Sequence, residues 1–397
     1  MKKVVLLVID SLGVGHMDDV VKTRPQDVGA NTLYHLLDQA QDLPIPNLEK
    51  LGINEIVCHP KLSRPTPLAS HGVMNLQHYG ADSYAGHQEI MGTQPKKPNI
   101  APFVQYLQKV KQALEEAGHH VVQPDAAMPY LRVDDYIVVA DNIETDYGQI
   151  YNLTGALDYI PFTHVLDVAA VVRQEVKVNR VIALGGQGIT LEDIENSIEK
   201  REDGLVGVNS PKSGVYKQGY NVRHIGYGVN PATQVSTILV EHGKEVTLIG
   251  KMQDVIECQG AEKRPAVDTD LVMSEIIKAQ SRTKQGLIAA TVQETDLSGH
   301  SQDVERYATK LMTVDSKLGT IMGAMSTEDY LIITADHGND PTIGHSQHTR
   351  EKTPLLVYRK DMPGQDLGIR GTLSDIARSI ADIFQVPPPE NGKTFMA

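Results

Sequence analysis

Two cysteines, Cys58 and Cys258, are all the thiol that this 397-residue chain carries. They form no framework of spacings, which excludes a disulfide scaffold and a cysteine-ligated structural zinc, and free thiols suit a reducing cytoplasm. No uninterrupted apolar run approaches the ~18 residues that span a bilayer. The opening MKKVVLLVIDSLGVG imitates a signal peptide, with two lysines ahead of an apolar run. That run breaks at Asp10 and no small-residue cleavage site follows, so a buried first strand accounts for it better. Positive charge is short as well: 37 Lys and Arg face 50 Asp and Glu, a formal net charge of −13. Such a surface repels phosphate backbones and excludes nucleic acid and anionic membranes as general partners, while leaving room for a cationic pocket. Internal repeats and low-complexity segments are lacking. With 41% hydrophobic and 22% charged residues the chain is an ordinary globular one, long enough for one large or two medium domains. A cytoplasmic location is expected, and the oligomeric state is left open.

What is present follows the grammar of an α/β protein. Residues 4–9 read as a strand buried on both faces, as in a parallel sheet covered by helices. It ends at Asp10, ahead of the glycine-rich SLGVG. Ligands of open α/β sheets bind beyond the carboxyl ends of the strands, so Asp10 stands at a chemically useful place. Helices are expected over 32–41 and 46–51. The last third repeats the pattern, with strands over 286–291, 330–334 and 354–358, a long amphipathic helix over 303–325 and a final helix over 373–384. The middle differs. Between the proline-flanked QPKKPNIAP and the Gly-, Ser- and Lys-rich GLVGVNSPKSGVYKQGY lie expected helices over 103–117 and 165–176 and strands over 136–140 and 180–184. Residues 97–222 are therefore expected to form an α+β domain inserted into a metal-binding core made of 1–96 and 223–397.

The strongest local signal is TADHGND at 334–340, with Asp336 and His337 side by side at a strand end where both can reach a metal. An isolated Asp-His pair is more often a cap beside a packed histidine, but three further clusters shift the balance. Asp296 and His300 stand four residues apart after another strand, His345 and His348 follow the Asp-His pair, and Asp10 ends the first strand. Carboxylate with imidazole suits Mn2+, Zn2+ or Fe. Four such clusters on one sheet point to a pair of ions clamping the oxygens of a phosphoryl transfer. Ser83, in the small-residue turn of ADSYAGHQEIMG, is the candidate nucleophile; the plainer alternative is a helix N-cap. His71, His78, His119 and His120 are expected on surfaces or in satisfied contacts. His87 and His345 lie closer to the candidate site, and their roles stay open.

In this order the motifs resemble the phosphopentomutases of the prokaryotic, manganese-dependent type, within the alkaline phosphatase superfamily. The resemblance rests on VIDSLGVG at the start, IPNLEKLGI at 45–53, DSYAGHQEIMG at 82–92, IGKMQD at 249–254, LIITADHGNDP at 331–341, HTREKTPLLVY at 348–358 and DIARSIADIF at 375–384. It implies an alkaline-phosphatase-like α/β core, a mainly parallel sheet flanked by helices, with 97–222 as an α+β cap over the metals. Carried over by position, it implies two divalent ions, Mn2+ in this family. One would be held by Asp10, Ser83, Asp336 and His337, the other by Asp296, His300 and His348. Ser83 takes the place of the family's phosphorylated threonine, and Lys251 is a retained substrate-binding cation. The implied reaction moves a phosphoryl group within a phosphorylated sugar, between ribose 1-phosphate and ribose 5-phosphate, through a phosphoserine. The implied partner is thus a phosphorylated small molecule. A phosphatase or phosphodiesterase with the same centre, and a catalytically silent binding protein on the same scaffold, are the alternatives.

Departures from the family pattern are specific. The family places its second-metal Asp five residues before the His, where this chain has Thr295, and Asp296 stands four before. That spacing, and serine in Ser-x-x-Gly-His, look more like the cofactor-independent phosphoglycerate mutases of the same superfamily. Leu184 stands where the family has an arginine for the substrate phosphate, and leucine offers no charge-assisted hydrogen bond. Lys212 is a candidate replacement. The stretch 141–146, from Asp141 to Asp146, also differs from the family's sugar-contacting segment. An altered substrate is therefore expected to be as good an account as the pentose phosphate.

Overall fold

The first strand, Lys3–Ile9, is buried from Val4 onward because both of its faces meet helices. Val5, Leu7 and Ile9 pack into one cluster with Leu33 and Leu36 of helix Thr32–Gln39, Val272 and Ile276 of helix Thr269–Arg282, and Leu311, Val314 and Leu318 of helix Val304–Gly323. Val4, Leu6 and Val8 pack into another with Leu239 of helix Val235–Glu241 and Ile376 and Ile380 of helix Ser374–Phe384. Burial of each such side chain contributes about 1.5–3 kcal/mol. A strand loaded on both faces can only be central, which is why its sequence is an unbroken apolar run.

The computed structural model describes residues 2–145 and 147–396. Among them the larger sheet has eight strands, in the order Glu262–Arg264, Glu245–Gly250, Gly286–Val292, Lys3–Ile9, Tyr330–Thr334, Thr353–Tyr358, Ala69–Met74 and Asp366–Arg370. Neighbours pair in parallel except around Thr353–Tyr358, which runs against both of its own. Ile9 is level with Val292, Val8 with Thr334 and Gly250 with Thr291. Four adjacent strands therefore release the chain at one edge. At the reversed strand it is the residues preceding Thr353 that arrive there. No helix among the described residues is long and apolar enough to cross a membrane.

The chain divides into two compact units, Met1–Pro95 with Asn230–Ala397, and Lys96–Val229. The insertion closes at Val229 and not at residue 222, because strand Asn221–Gly226 pairs along its whole length with Arg180–Gly186 and belongs to the inserted sheet. That sheet has the order Asn221–Gly226, Arg180–Gly186, Ile150–Ala156, Ile137–Asp141, Leu131–Val133 and Val121–Val122. It is antiparallel except between Ile150–Ala156 and Arg180–Gly186. Helices Leu107–Glu116 and Phe162–Glu175 cover one face through Val110, Leu114, Val168 and Val172. A second apolar cluster, with Val138, Ile182, Leu184, Ile189 and Ile194, covers the other.

Two expectations about the inserted unit change here. Leu184 is buried in this second cluster, so in this chain position 184 is a packing position and not a vacant phosphate contact. Lys212 is exposed and pairs with Glu199 at 3.0 Å. Within 141–146, Asp146 lies outside the described residues. The buried Asp141 carboxylate accepts the backbone N–H of Phe103 at 2.7 Å and of Val206 at 3.3 Å, a tie between three segments of the unit.

Leu184→Arg is accordingly expected to destabilise the protein by about 3 kcal/mol or more, as an unpaired charge in apolar surroundings. The urea unfolding midpoint is the measurement. An unchanged midpoint would mean that the guanidinium reaches water and that the position is not core.

Candidate metal centre

Lys251, helix Glu294–His300, Asp10 and the Ala335-Asp336-His337 turn follow directly from those four adjacent strand ends. The chain holds them level. Asp10 N–H donates to Val292 O at 3.1 Å, and Thr295 Oγ1 donates to Asp10 O at 2.7 Å and Val292 O at 3.1 Å. Thr295 thus fastens the start of its helix to two strand ends, and Asp296, one residue on, carries the carboxylate to the site. Asn339 Nδ2 steadies that carboxylate, donating to Asp296 Oδ1 at 3.0 Å. Ser11, at φ 67°, turns its N–H onto Asp336 Oδ1 at 3.3 Å.

Ser83 is not in a turn, as its small-residue surroundings suggested. It is the first residue of helix Ser83–Ile90, and the cap is Asp82, whose side chain accepts Ala85 N–H at 2.8 Å. Relieved of capping, Ser83 Oγ donates to Asp336 Oδ2 at 2.5 Å. Gly86 makes this approach possible: a β-carbon there would stand 2.7 Å from Asp336 O. One turn after Ser83, His87 Nδ1 lies 2.8 Å from Ser83 O and 3.1 Å from Asp336 Oδ2, and its Nε2 is 2.8 Å from Thr291 Oγ1.

Three histidines share one orientation device. His337, His300 and His348 direct Nδ1 at the carbonyl oxygens of Gly338 (2.9 Å), Ser346 (2.7 Å) and Ala81 (2.8 Å). A carbonyl only accepts, so each Nδ1 carries a proton and Nε2 is the atom turned to the site, where it offers a lone pair once the ring is neutral. His348 Nε2 lies 3.0 Å from His300 Nε2 and 3.3 Å from Asp296 Oδ1, and His300 Nε2 is 3.4 Å from Asp296 Oδ2. His337 Nε2 lies 3.4 Å from Asp10 Oδ1 and 3.3 Å from Asp336 Oδ2. Ligand atoms of Asp10, Asp336 and His337 fall within 4.8 Å of one another, as do those of Asp296, His337 and His348. The resemblance gave His337 to one ion, whereas the geometry sets it within reach of both groups.

The electrostatics ask for positive charge. Asp10, Asp296 and Asp336 are all buried, and Lys251 Nζ reaches Asp10 Oδ2 at 2.7 Å. Burial and then the Asp336 carboxylate push Asp10 up to about 8. Burial works against charge on Lys251, yet the three carboxylates outweigh it and raise its pKa. Burial drives His337 down to about 3, keeping the ring neutral and able to ligate. Among the described residues, the buried Asp10 Oδ1 and His337 Nε2 have no hydrogen-bond partner. Leaving each unsatisfied costs about 1–3 kcal/mol. A divalent cation between a carboxylate oxygen and an imidazole lone pair satisfies both at once, so the residues present fit such an ion.

Every residue expected at the site is drawn to this edge: Asp10, Ser83, Lys251, Asp296, His300, Asp336, His337 and His348. His345 is not; it sits 3.3 Å from Asp27 Oδ1 and enters neither three-residue group. Ser11, Thr291 and Asn339 were not singled out from sequence. Asn339 lay within the DHGND motif, and the four-residue spacing from Ser83 to His87 was the available sign that the two share a helix face.

His337→Ala is expected to lower bound divalent metal more than His300→Ala, because His337 belongs to both groups. Elemental analysis after dialysis checks this. Equal loss in the two variants would overturn the shared position of His337.

The family model of the metalloenzyme superfamily matches residues 2–388. Along its whole length the chain is similar to a phosphopentomutase of Caldanaerobacter subterraneus subsp. tengcongensis, 30% identical with 100% of this chain and 98% of that one covered. It is also similar to a phosphopentomutase of Symbiobacterium thermophilum, 28% identical with 99% and 98% covered. Among solved structures it shares its fold with the PH0037 protein from Pyrococcus horikoshii, at a TM-score of 0.50 and 14% identity over 100% of this chain and 98% of that one. A phosphoglycerate mutase of Leishmania mexicana, solved at low cobalt concentration, matches at a TM-score of 0.51 and 11% identity over 98% and 96%. Those two likenesses speak for the fold, which is the alkaline-phosphatase-like one; the full-length relatives speak for more. This chain belongs to the metalloenzyme superfamily and, within it, to the phosphopentomutase family of metal-dependent phosphomutases.

Proposed function

We propose that this enzyme moves a phosphoryl group within a phosphorylated sugar of the ribose 1-phosphate and ribose 5-phosphate type, through a phosphoserine at Ser83. Two divalent ions, Mn2+ by the family's precedent, are assigned to Asp10, Ser83, Asp336 and His337 and to Asp296, His300 and His348. The observation that supports this most is the pair of buried atoms without partners, Asp10 Oδ1 and His337 Nε2, 3.4 Å apart. Ser83 Oγ is hydrogen-bonded to the carboxylate beside them.

When bound, such ions offset the charge on the phosphoryl oxygens and ease ionisation of a hydroxyl next to them. The chain's own residues do the rest. Asp336 Oδ2 receives the Ser83 hydroxyl hydrogen bond and so fixes the direction of the Oγ lone pairs. His87 touches both Ser83 O and Asp336 Oδ2, holding nucleophile and carboxylate in register. A phosphate dianion cannot approach three buried carboxylates unless cations neutralise them, and Lys251 is the ammonium already seated among them. We assign Lys251 to the substrate's phosphoryl group on that ground.

Ser83→Ala is expected to keep the fold and most of the metal while losing transfer by roughly a thousandfold or more. Mass spectrometry of the native enzyme after exposure to substrate should find phosphate on Ser83. No phosphate there, together with an alanine variant that still turns over, would sink the covalent route. Release of free phosphate in place of isomerised sugar phosphate would mark a hydrolase. Gly86→Ala should lower kcat by about 10- to 100-fold, since a displacement of the helix near 1 Å misplaces Ser83. A variant with native kcat would show that the helix has room to give.

A further inference from the structure

The inserted unit carries a convergence of metal-ligating side chains of its own. His119 lies just beyond helix Leu107–Glu116, Asp134 opens the turn between strands Leu131–Val133 and Ile137–Asp141, and His164 sits in the first turn of helix Phe162–Glu175. His119 Nδ1 and His164 Nε2 each lie 2.7 Å from the same atom, Asp134 Oδ2. One ligand atom from each of the three residues falls within 4.8 Å of the other two. The second carboxylate oxygen is held elsewhere: Asp134 Oδ1 accepts His120 N–H at 2.9 Å, and Asp134 N–H donates to His120 O at 2.9 Å. The anion is thus fixed while Oδ2 stays directed at both rings. Side-chain exposures of 15% for His119, 21% for Asp134 and 32% for His164 leave the cluster reachable from water without leaving it loose.

Two imidazoles aimed at one carboxylate oxygen can be joined by hydrogen atoms or by a cation. Tetrahedral zinc with ligand bonds near 2.0–2.1 Å sets its ligands about 3.3 Å apart. The two His–Asp distances of 2.7 Å would need to open by about 0.6 Å, and the two imidazole nitrogens already lie within 4.8 Å of each other. We propose that His119, Asp134 and His164 form a second, independent site for a divalent transition metal of the Zn2+ class, with water in the fourth position. Imidazole with carboxylate favours such an ion over Mg2+ or Ca2+, which take all-oxygen shells. Each ring gives up the N–H that it shares with Asp134. A neutral ring carries its proton on the other nitrogen instead, and a charged ring releases one proton to solvent. The ion then ties together three segments far apart in sequence: the end of one helix, a hairpin turn and the start of another helix.

The test uses the full chain, stripped with a chelator and titrated with Zn2+ alone. The native protein should bind about one equivalent more than Asp134→Asn or His164→Ala, while Mn2+-supported phosphomutase turnover is unchanged in both variants. Equal zinc content in native protein and variants overturns the site, as does a difference seen only at millimolar Zn2+. Should either variant fail to fold, native crystals soaked in micromolar Zn2+ decide the matter. An anomalous peak among the three side chains supports the site, and its absence at full occupancy of the first centre overturns it.

Discussion

Three carboxylates, those of Asp10, Asp296 and Asp336, are withdrawn from water at one edge of a mainly parallel sheet, and the structure around them answers that repulsion. Removing an ion from water costs several kcal/mol even after relaxation. The partners are correspondingly dense. Asp336 takes the Ser83 hydroxyl, the Ser11 N–H and the His87 ring; Asp296 takes the Asn339 amide; Asp10 takes Lys251. Even the strained backbone at Ser11 and the missing side chain at Gly86 serve to bring donors to Asp336. Among the described residues the arrangement is left incomplete where Asp10 Oδ1 faces His337 Nε2, the place at which a cation fits.

Much of the core was legible because each physical cause leaves a local mark. A strand covered on both faces must be apolar throughout, so Lys3–Ile9, Gly286–Val292 and Tyr330–Thr334 announce themselves, and polar residues at their ends stand out. His348 obeys the opposite rule, since it precedes its strand, and only the reversed direction of Thr353–Tyr358 returns it to the same edge. Partnerships were harder to see. Nothing in ADSYAGHQ says that Asp82 caps the helix and frees Ser83, and although the spacing to His300 marks Asp296, nothing in ETDLSGH says that Thr295 binds backbone.

The inserted unit was less legible, for two different reasons. Its last strand, Asn221–Gly226, lies at the sheet edge with its first residues exposed, and edge strands carry polar residues that read as loop. Position 184 illustrates the other difficulty. A resemblance transfers a residue's place in the chain but not the environment of its side chain. Along Arg180–Gly186 alternate residues face opposite clusters, Ala183 one and Leu184 the other. The cluster above Leu184 closes over it, and leucine there is what packing requires.

The central place of Lys3–Ile9 has a consequence for how the chain is made. Its two sheet neighbours, Gly286–Val292 and Tyr330–Thr334, lie in the last third of the sequence. At roughly 5–20 residues per second, synthesis leaves this strand without either neighbour for tens of seconds. During that interval a segment apolar on both sides has no native surface to cover it, and its backbone donors and acceptors have no ladder to join. The strand that holds the centre of the finished sheet is thus also a stretch of nascent chain that stays long without its native cover.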